Sequence, residues 1–131
     1  MIIDIHTHLF NFDIVAQPFW DGWAELAALR VNRPLEKVQR RLPEFWDISG
    51  DMIVKDMDAA GIDKSVLLAI DWGLARYLGE PKLSIEKINK VYADAVEKHP
   101  QRLIAFAGID PRRNKAAELV RISQGMGHEG D

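Results

Sequence analysis

The chain begins Met1-Ile2-Ile3-Asp4-Ile5-His6-Thr7-His8-Leu9-Phe10 (MIIDIHTHLF, residues 1–10), the pattern of a first buried strand that ends in a pair of histidines. A short apolar run passes directly into two histidines spaced i, i+2, with nothing resembling a helix start around them. In a strand, positions two apart share a face and lie ~6.5 to 7 Å apart along the chain. Read this way, Asp4, His6 and His8 project together, and the two imidazoles can lean onto one divalent ion at ~2.0 to 2.1 Å. Chance supplies only about 0.1 such pairs for this histidine content, so the spacing marks the pair as a candidate metal site.

Two more runs share this dense apolar character, Ser65 to Ile70 (SVLLAI) and Leu103 to Ile109 (LIAFAGI). All three are continuous rather than alternating, as expected for strands buried on both faces. Helical periodicity fills the spaces between them. Ser49 is placed to cap a helix over 50–60, with Ile53, Met57 and Ala60 on one face and Gly61 as its left-handed stop. Ser84 precedes a second helix carrying Ile85, Ile88, Tyr92, Ala95 and His99 on one side, closed by Pro100. A third is predicted from about Asn114 to Gln124 on Ala116, Leu119 and Val120.

Strands alternating with helices imply βαβ units, right-handed crossovers and a parallel sheet in the order 1-2-3 with helices on one side. Each run ends in a polar or acidic residue. The neighbourhoods of Asp4, His6, His8, Asp71 and Asp110 are therefore expected at one end, the edge where parallel α/β folds carry their sites. His99 is expected to cap a helix C-terminus. The domain is read as 1–124, followed by a mobile tail, 125–131, that contains His128.

Residues 10–46 are less regular, with short helical patterns at 23–29 and at 35–42 behind Pro34. Seven aromatics crowd this connection: Phe10, Phe12, Phe19, Trp20, Trp23, Phe45 and Trp46. Two readings stay open for them, ordinary core over the sheet end or the wall or lid of a pocket.

Composition bounds the function. Seventeen basic against twenty acidic residues, net charge -3, with no long block of one sign, argue against a nucleic-acid footprint or a membrane-binding patch. No apolar run approaches the ~20 residues of a membrane span, and the N-terminus lacks the basic region of a secretory signal. With no cysteine there is no disulfide framework, thiolate zinc site or thiol nucleophile. The expectation is a cytoplasmic protein.

Taken in order and spacing, IIDIHTHLF, DMDAAGIDKSVLLAIDWG and KHPQRLIAFAGIDPRR resemble the N-terminal part of the amidohydrolase-related branch of the amidohydrolase superfamily. That branch includes metal-dependent hydrolases and decarboxylases similar to aminocarboxymuconate-semialdehyde decarboxylase. The resemblance covers most of the chain to about residue 120. It implies a (β/α)₈ TIM barrel, of which this α/β chain holds about three βα units, with His6 and His8 matching the first-strand metal ligands. It implies a divalent cofactor, Zn²⁺ or alternatively Mn²⁺ or Fe²⁺, and a small-molecule substrate. The remaining ligands, and an aspartate that helps to move a proton, belong to later strands of the family.

A whole barrel takes ~250 residues, and ISQGMGHEGD is Gly-rich and polar where a fourth strand is due. The chain is accordingly expected to be a truncated front part, inactive alone, that self-associates through the free edge of its third strand. Asp71 and Trp72 either face the substrate or are a turn acid and a packing indole. Arg112 and Arg113 either pair with a substrate carboxylate or belong to a solvated loop. The competing reading is a non-catalytic small α/β module that binds a ligand or partner. A nucleotide-binding version is disfavoured because His6-Thr7-His8 stands where a Gly-rich turn is needed.

Overall fold

The computed structural model describes residues 1–125. The tail expected over 125–131, with His128, lies outside the described residues except for Gly125. The three runs form β1 (Ile3–Thr7), β2 (Lys64–Leu68) and β3 (Leu103–Phe106), paired in parallel in the order β1-β2-β3. The protein is thus α/β with a parallel sheet, as its alternation of elements requires. Among the described residues no helix is long and apolar enough to cross a membrane.

Burial on both faces is not what the sheet shows. Ser65, Leu67 and Leu103 are at most 2% exposed, whereas Ile5 is 74%, Ile104 38% and Phe106 60% exposed. Register explains the division, since Ser65 aligns with Leu103 on one face and Val66 with Ile104, Leu68 with Phe106, on the other. Helical residues Met57, Ile88, Tyr92, Ala95 and Leu119 cluster with Leu67 and Leu103 on the first face. Among the described residues the second face has no such cover. Strands β2 and β3 also end sooner than their apolar runs, at Leu68 and Phe106.

Helix α1 spans Gln17–Val31, longer than its expected core, with Pro18 in its first turn, a position where the missing amide proton costs nothing. Helix α2 (Leu35–Gln39) stops short of Leu42 and gives way to a 3₁₀ turn, Leu42–Phe45. Pro43 explains the change, because it restricts the residue before it and cannot donate to an α-helical ladder. Phe10 and Asp47 exchange both backbone hydrogen bonds at 3.0 Å and close this connection on itself.

Helix α3 (Asp51–Ala60) begins one residue later than expected and ends on Gly61 at φ 69°. Its N-terminus is capped by Ser49 together with Asp47: Ser49 Oγ accepts from the Asp51 amide at 3.2 Å, and the Asp47 carboxylate accepts from the amides of Ser49, Gly50, Met52 and Ile53. The hydroxyl and the carboxylate divide the free amides of the helix N-terminus between them, with the carboxylate taking the larger share. Met57 is buried as expected, but Ala60 is exposed. Helix α4 (Ile85–Lys98) keeps its expected cap, with Ser84 Oγ accepting from Lys87 N, and buries Ile85, Ile88, Asn89, Tyr92 and Ala95. His99 occupies the C-cap position, and its Nε2 lies 2.7 Å from Asp51 Oδ1. Helix α5 (Ala116–Gly125) buries Leu119, while Val120 is 42% exposed.

Candidate metal centre

At the C-terminal end of β1 the ladder slips. Asp4 aligns with Ser65 and Thr7 with Leu67, so Ile5 and His6 together stand opposite Val66. A bulge of this kind re-aims the side chains that follow it. The Nε2 atoms of His6 and His8 meet at 2.9 Å, their rings nearly perpendicular at a centroid distance of 4.8 Å. His8 Nδ1 lies 2.7 Å from the Leu68 carbonyl oxygen. A carbonyl only accepts, so Nδ1 carries the proton and the Nε2 lone pair is directed at His6.

This arrangement fits a divalent ion in donor type and spacing. Two nitrogens 2.9 Å apart, each at ~2.0 to 2.1 Å from an ion, subtend about 90° at it, the angle of adjacent octahedral positions. A tetrahedral ion asks for a separation of ~3.4 Å, a small outward swing of one ring. The Leu68 carbonyl behind His8 is the kind of outer partner that fixes a ligand's tautomer and orientation. Among the described residues no group of three or more His, Asp or Glu side chains is placed to hold a metal. Among the described residues, His6 and His8 are the two donors that meet there.

Asp4 is not one of them, contrary to the in-phase expectation. The bulge leaves it aligned with Ser65 on the helix-covered face. Its carboxylate accepts from the His6 amide at 3.1 Å and from Thr7 Oγ1 at 2.8 Å. These two bonds, the first above all, hold its pKa below the ordinary carboxylate value. Asp4 braces the bulge that turns the histidines.

Aromatic side chains connect the histidines to the β2–α4 loop. His8 lies 5.7 Å from Phe10, Phe10 stacks on Phe19 at 5.9 Å and 11°, and Phe19 lies 5.5 Å from Trp72. Trp72, 41% exposed, is thereby placed in one row with the candidate ligands. Phe12, Trp20 and Trp46 pack against one another as core, Trp20 only 3% exposed, whereas Phe45, beside Trp23, is 52% exposed.

Asp71 is committed to a different task. Its side chain is 2% exposed and takes two hydrogen bonds from Arg113, at 2.6 and 2.7 Å, and one from the Asp110 amide at 2.8 Å. Burial pushes its carboxyl up, but the Arg113 and backbone bonds together hold it below its ordinary value. The other edge of the Arg113 guanidinium grips Glu80 at 2.8 and 2.7 Å. Arg112, 67% exposed, instead pairs with Asp110 in its own loop, and Arg112 holds the Asp110 carboxyl down at about 2. Of the two arginines, the adjacent Arg113 makes the long-range contacts. A groove of about 710 Å³ runs between the residues around Leu83 and Ser84 and those of α5, and no histidine lines it.

Sequence reasoning missed Asn89, whose carboxamide accepts from Gly108 N at 3.0 Å, and the hydroxyl of Tyr92, which bonds Leu9. The signal was present: two polar groups on the apolar face of an amphipathic helix require partners when buried. No protein-family model matches the chain, and no curated protein matches it significantly.

Proposed function

We propose that the chain is the front part of a metal-dependent hydrolase or decarboxylase of amidohydrolase type, a partial (β/α)₈ barrel. The observation that carries this reading is the convergence of His6 and His8 at 2.9 Å, with His8 oriented by the Leu68 carbonyl, at the C-terminal ends of parallel strands. That is the edge where barrel enzymes keep their chemistry. In the proposal, His6 and His8 hold a divalent ion, Zn²⁺ or alternatively Mn²⁺ or Fe²⁺, and later strands of the barrel complete its shell. When bound, such an ion supplies Lewis acidity and an activated water.

The chain's own residues orient and exclude. Asp4 and the bulge aim the histidines, and the Phe10, Phe19 and Trp72 row forms an apolar wall against which a small organic substrate rests. Arg112 contacts a substrate carboxylate only by giving up Asp110, and Asp71 acts by anchoring Arg113. A cytoplasmic setting belongs to the same proposal. The uncovered sheet face, with Ile5 and Phe106 more than half exposed, favours a second reading, a non-catalytic module that binds a partner.

Calorimetric titration of the chain and of its His6→Ala and His8→Ala variants with Zn²⁺ separates these. Two imidazoles and water make an open shell, so weak binding by the parent chain and loss in both variants is expected. Equal affinity in all three proteins removes the metal reading. Metal analysis and assay of the complete open reading frame then test the reaction class.

A further inference from the structure

Helix α4 presents two buried polar side chains, Asn89 and Tyr92, three residues apart on one face. Each satisfies both polar groups of a single backbone residue. The Tyr92 hydroxyl accepts from the Leu9 amide at 3.1 Å and donates to the Leu9 carbonyl at 3.2 Å. The Asn89 carboxamide accepts from the Gly108 amide at 3.0 Å and donates to the Gly108 carbonyl at 3.4 Å. Leu9 directly follows His8, and Gly108 lies just past β3. Gly108 also presses against the end of β2 so closely that a Cβ there falls 1.9 Å from the Ala69 carbonyl oxygen. One face of one helix therefore holds the backbone just past β1 and just past β3.

The Tyr92 contact is the one nearest the candidate ligands. Leu9 is 0% exposed and lies beyond β1, so its amide and carbonyl need partners from outside the strand. A phenylalanine fills nearly the same volume, so the hydroxyl contributes position rather than bulk. Holding both polar groups of Leu9 fixes the peptide that leaves His8, and with it the angle at which the His8 ring reaches Leu68.

We propose that Tyr92 is a positioning residue for the histidine pair, acting through Leu9 to keep His8 Nδ1 on the Leu68 carbonyl and its Nε2 converged on that of His6. The affinity part of the test rests on the metal-site reading; the tautomer part does not. The experiment is nitrogen-15 NMR of the imidazoles in the metal-free 131-residue chain, followed by titration with Zn²⁺ alone. In the wild type His8 is expected as the Nδ1–H tautomer. Tyr92→Phe is expected to shift it toward the Nε2–H form usual in water, and to weaken Zn²⁺ binding by ~10-fold, as loss of an outer orienting partner does.

Leu119→Ala, a cavity variant in the core on α5, is the control for general loosening and is expected to leave the tautomer unchanged. An unchanged His8 tautomer in Tyr92→Phe, or an equal shift in Leu119→Ala, overturns the proposal. Should Tyr92→Phe not fold, the wild type decides: a Leu9 amide protected from exchange with His8 as Nδ1–H supports the proposal, and an unprotected amide or Nε2–H overturns it. If His6→Ala and His8→Ala bind Zn²⁺ like the wild type, the metal reading fails while the tautomer comparison still decides the role of Tyr92.

Discussion

Replacing Arg113 with methionine keeps the aliphatic stem and removes the guanidinium that Asp71 depends on. The Asp71 side chain is 2% exposed, so the substitution strands a carboxylate with only the Asp110 amide, at 2.8 Å, and its local turn. Breaking a fully buried pair from one side costs ~3–5 kcal/mol. Arg113 is itself 16% exposed and Glu80 54%, so the Glu80 half adds only ~0–1 kcal/mol. A total of ~3–6 kcal/mol follows, which at a mid-range slope of ~2 kcal/mol/M moves a urea midpoint by about 1.5–3 M.

Asp71→Asn in the same background removes the stranded charge, so the double variant should regain at least ~1 kcal/mol over Arg113→Met alone. Acid provides a second check. In the wild type the Asp71 carboxyl lies below its ordinary value, so its contribution is present above the unfolded pKa of ~3.9 and fades as the pH falls below it. In Arg113→Met, burial is left dominant and the folded value rises above the unfolded one. That variant therefore gains on the wild type as the pH falls from neutral toward ~4. Urea titrations followed by circular dichroism measure both effects. A cost under ~1 kcal/mol at pH 7, or an Asp71→Asn effect identical in both backgrounds, refutes the reasoning.

Gly108→Ala places a methyl 1.9 Å from the Ala69 carbonyl oxygen, a backbone atom that cannot rotate away, and is expected to cost ~1–3 kcal/mol; an unchanged thermal midpoint contradicts this close approach. Asp51, held by Lys98 and then His99, and Asp110, held by Arg112, both sit at about 2. Stability is therefore expected to fall as the pH drops from ~4 through 2, and Asp51→Asn with Asp110→Asn should flatten that decline in acid denaturation curves. Phe106, 60% exposed beside Ile104, leaves an apolar face that association with a second copy buries at ~25 cal/mol per Å². Concentration-dependent sedimentation is expected, and Phe106→Lys should suppress it; a parent chain that stays monomeric at tens of micromolar is against it.

Features of this protein governed by neighbours in the chain were readable in its residues. Dense apolar runs marked the strands, helical spacing and Ser84 marked α4, and the one glycine able to stop α3, Gly61, stopped it. Local signals also located the histidine pair. Where several near neighbours act together, reading fell short: Asp47 joins Ser49 in capping α3, and Pro43 turns the end of α2 into a 3₁₀ turn.

Features that depend on which distant groups meet came only with the tertiary structure. The bulge that removes Asp4 from the histidine face is a register relation between β1 and β2. The proton on His8 is set by a carbonyl 60 residues away, and the partner of Asp71 is an arginine 42 residues away rather than Arg112 beside it. Apolar periodicity and helix capping act over one or two turns of chain, so sequence carries them. Hydrogen bonds and ion pairs between remote segments depend on packing that brings them within ~3 Å, and on which competitor arrives first in geometry and burial.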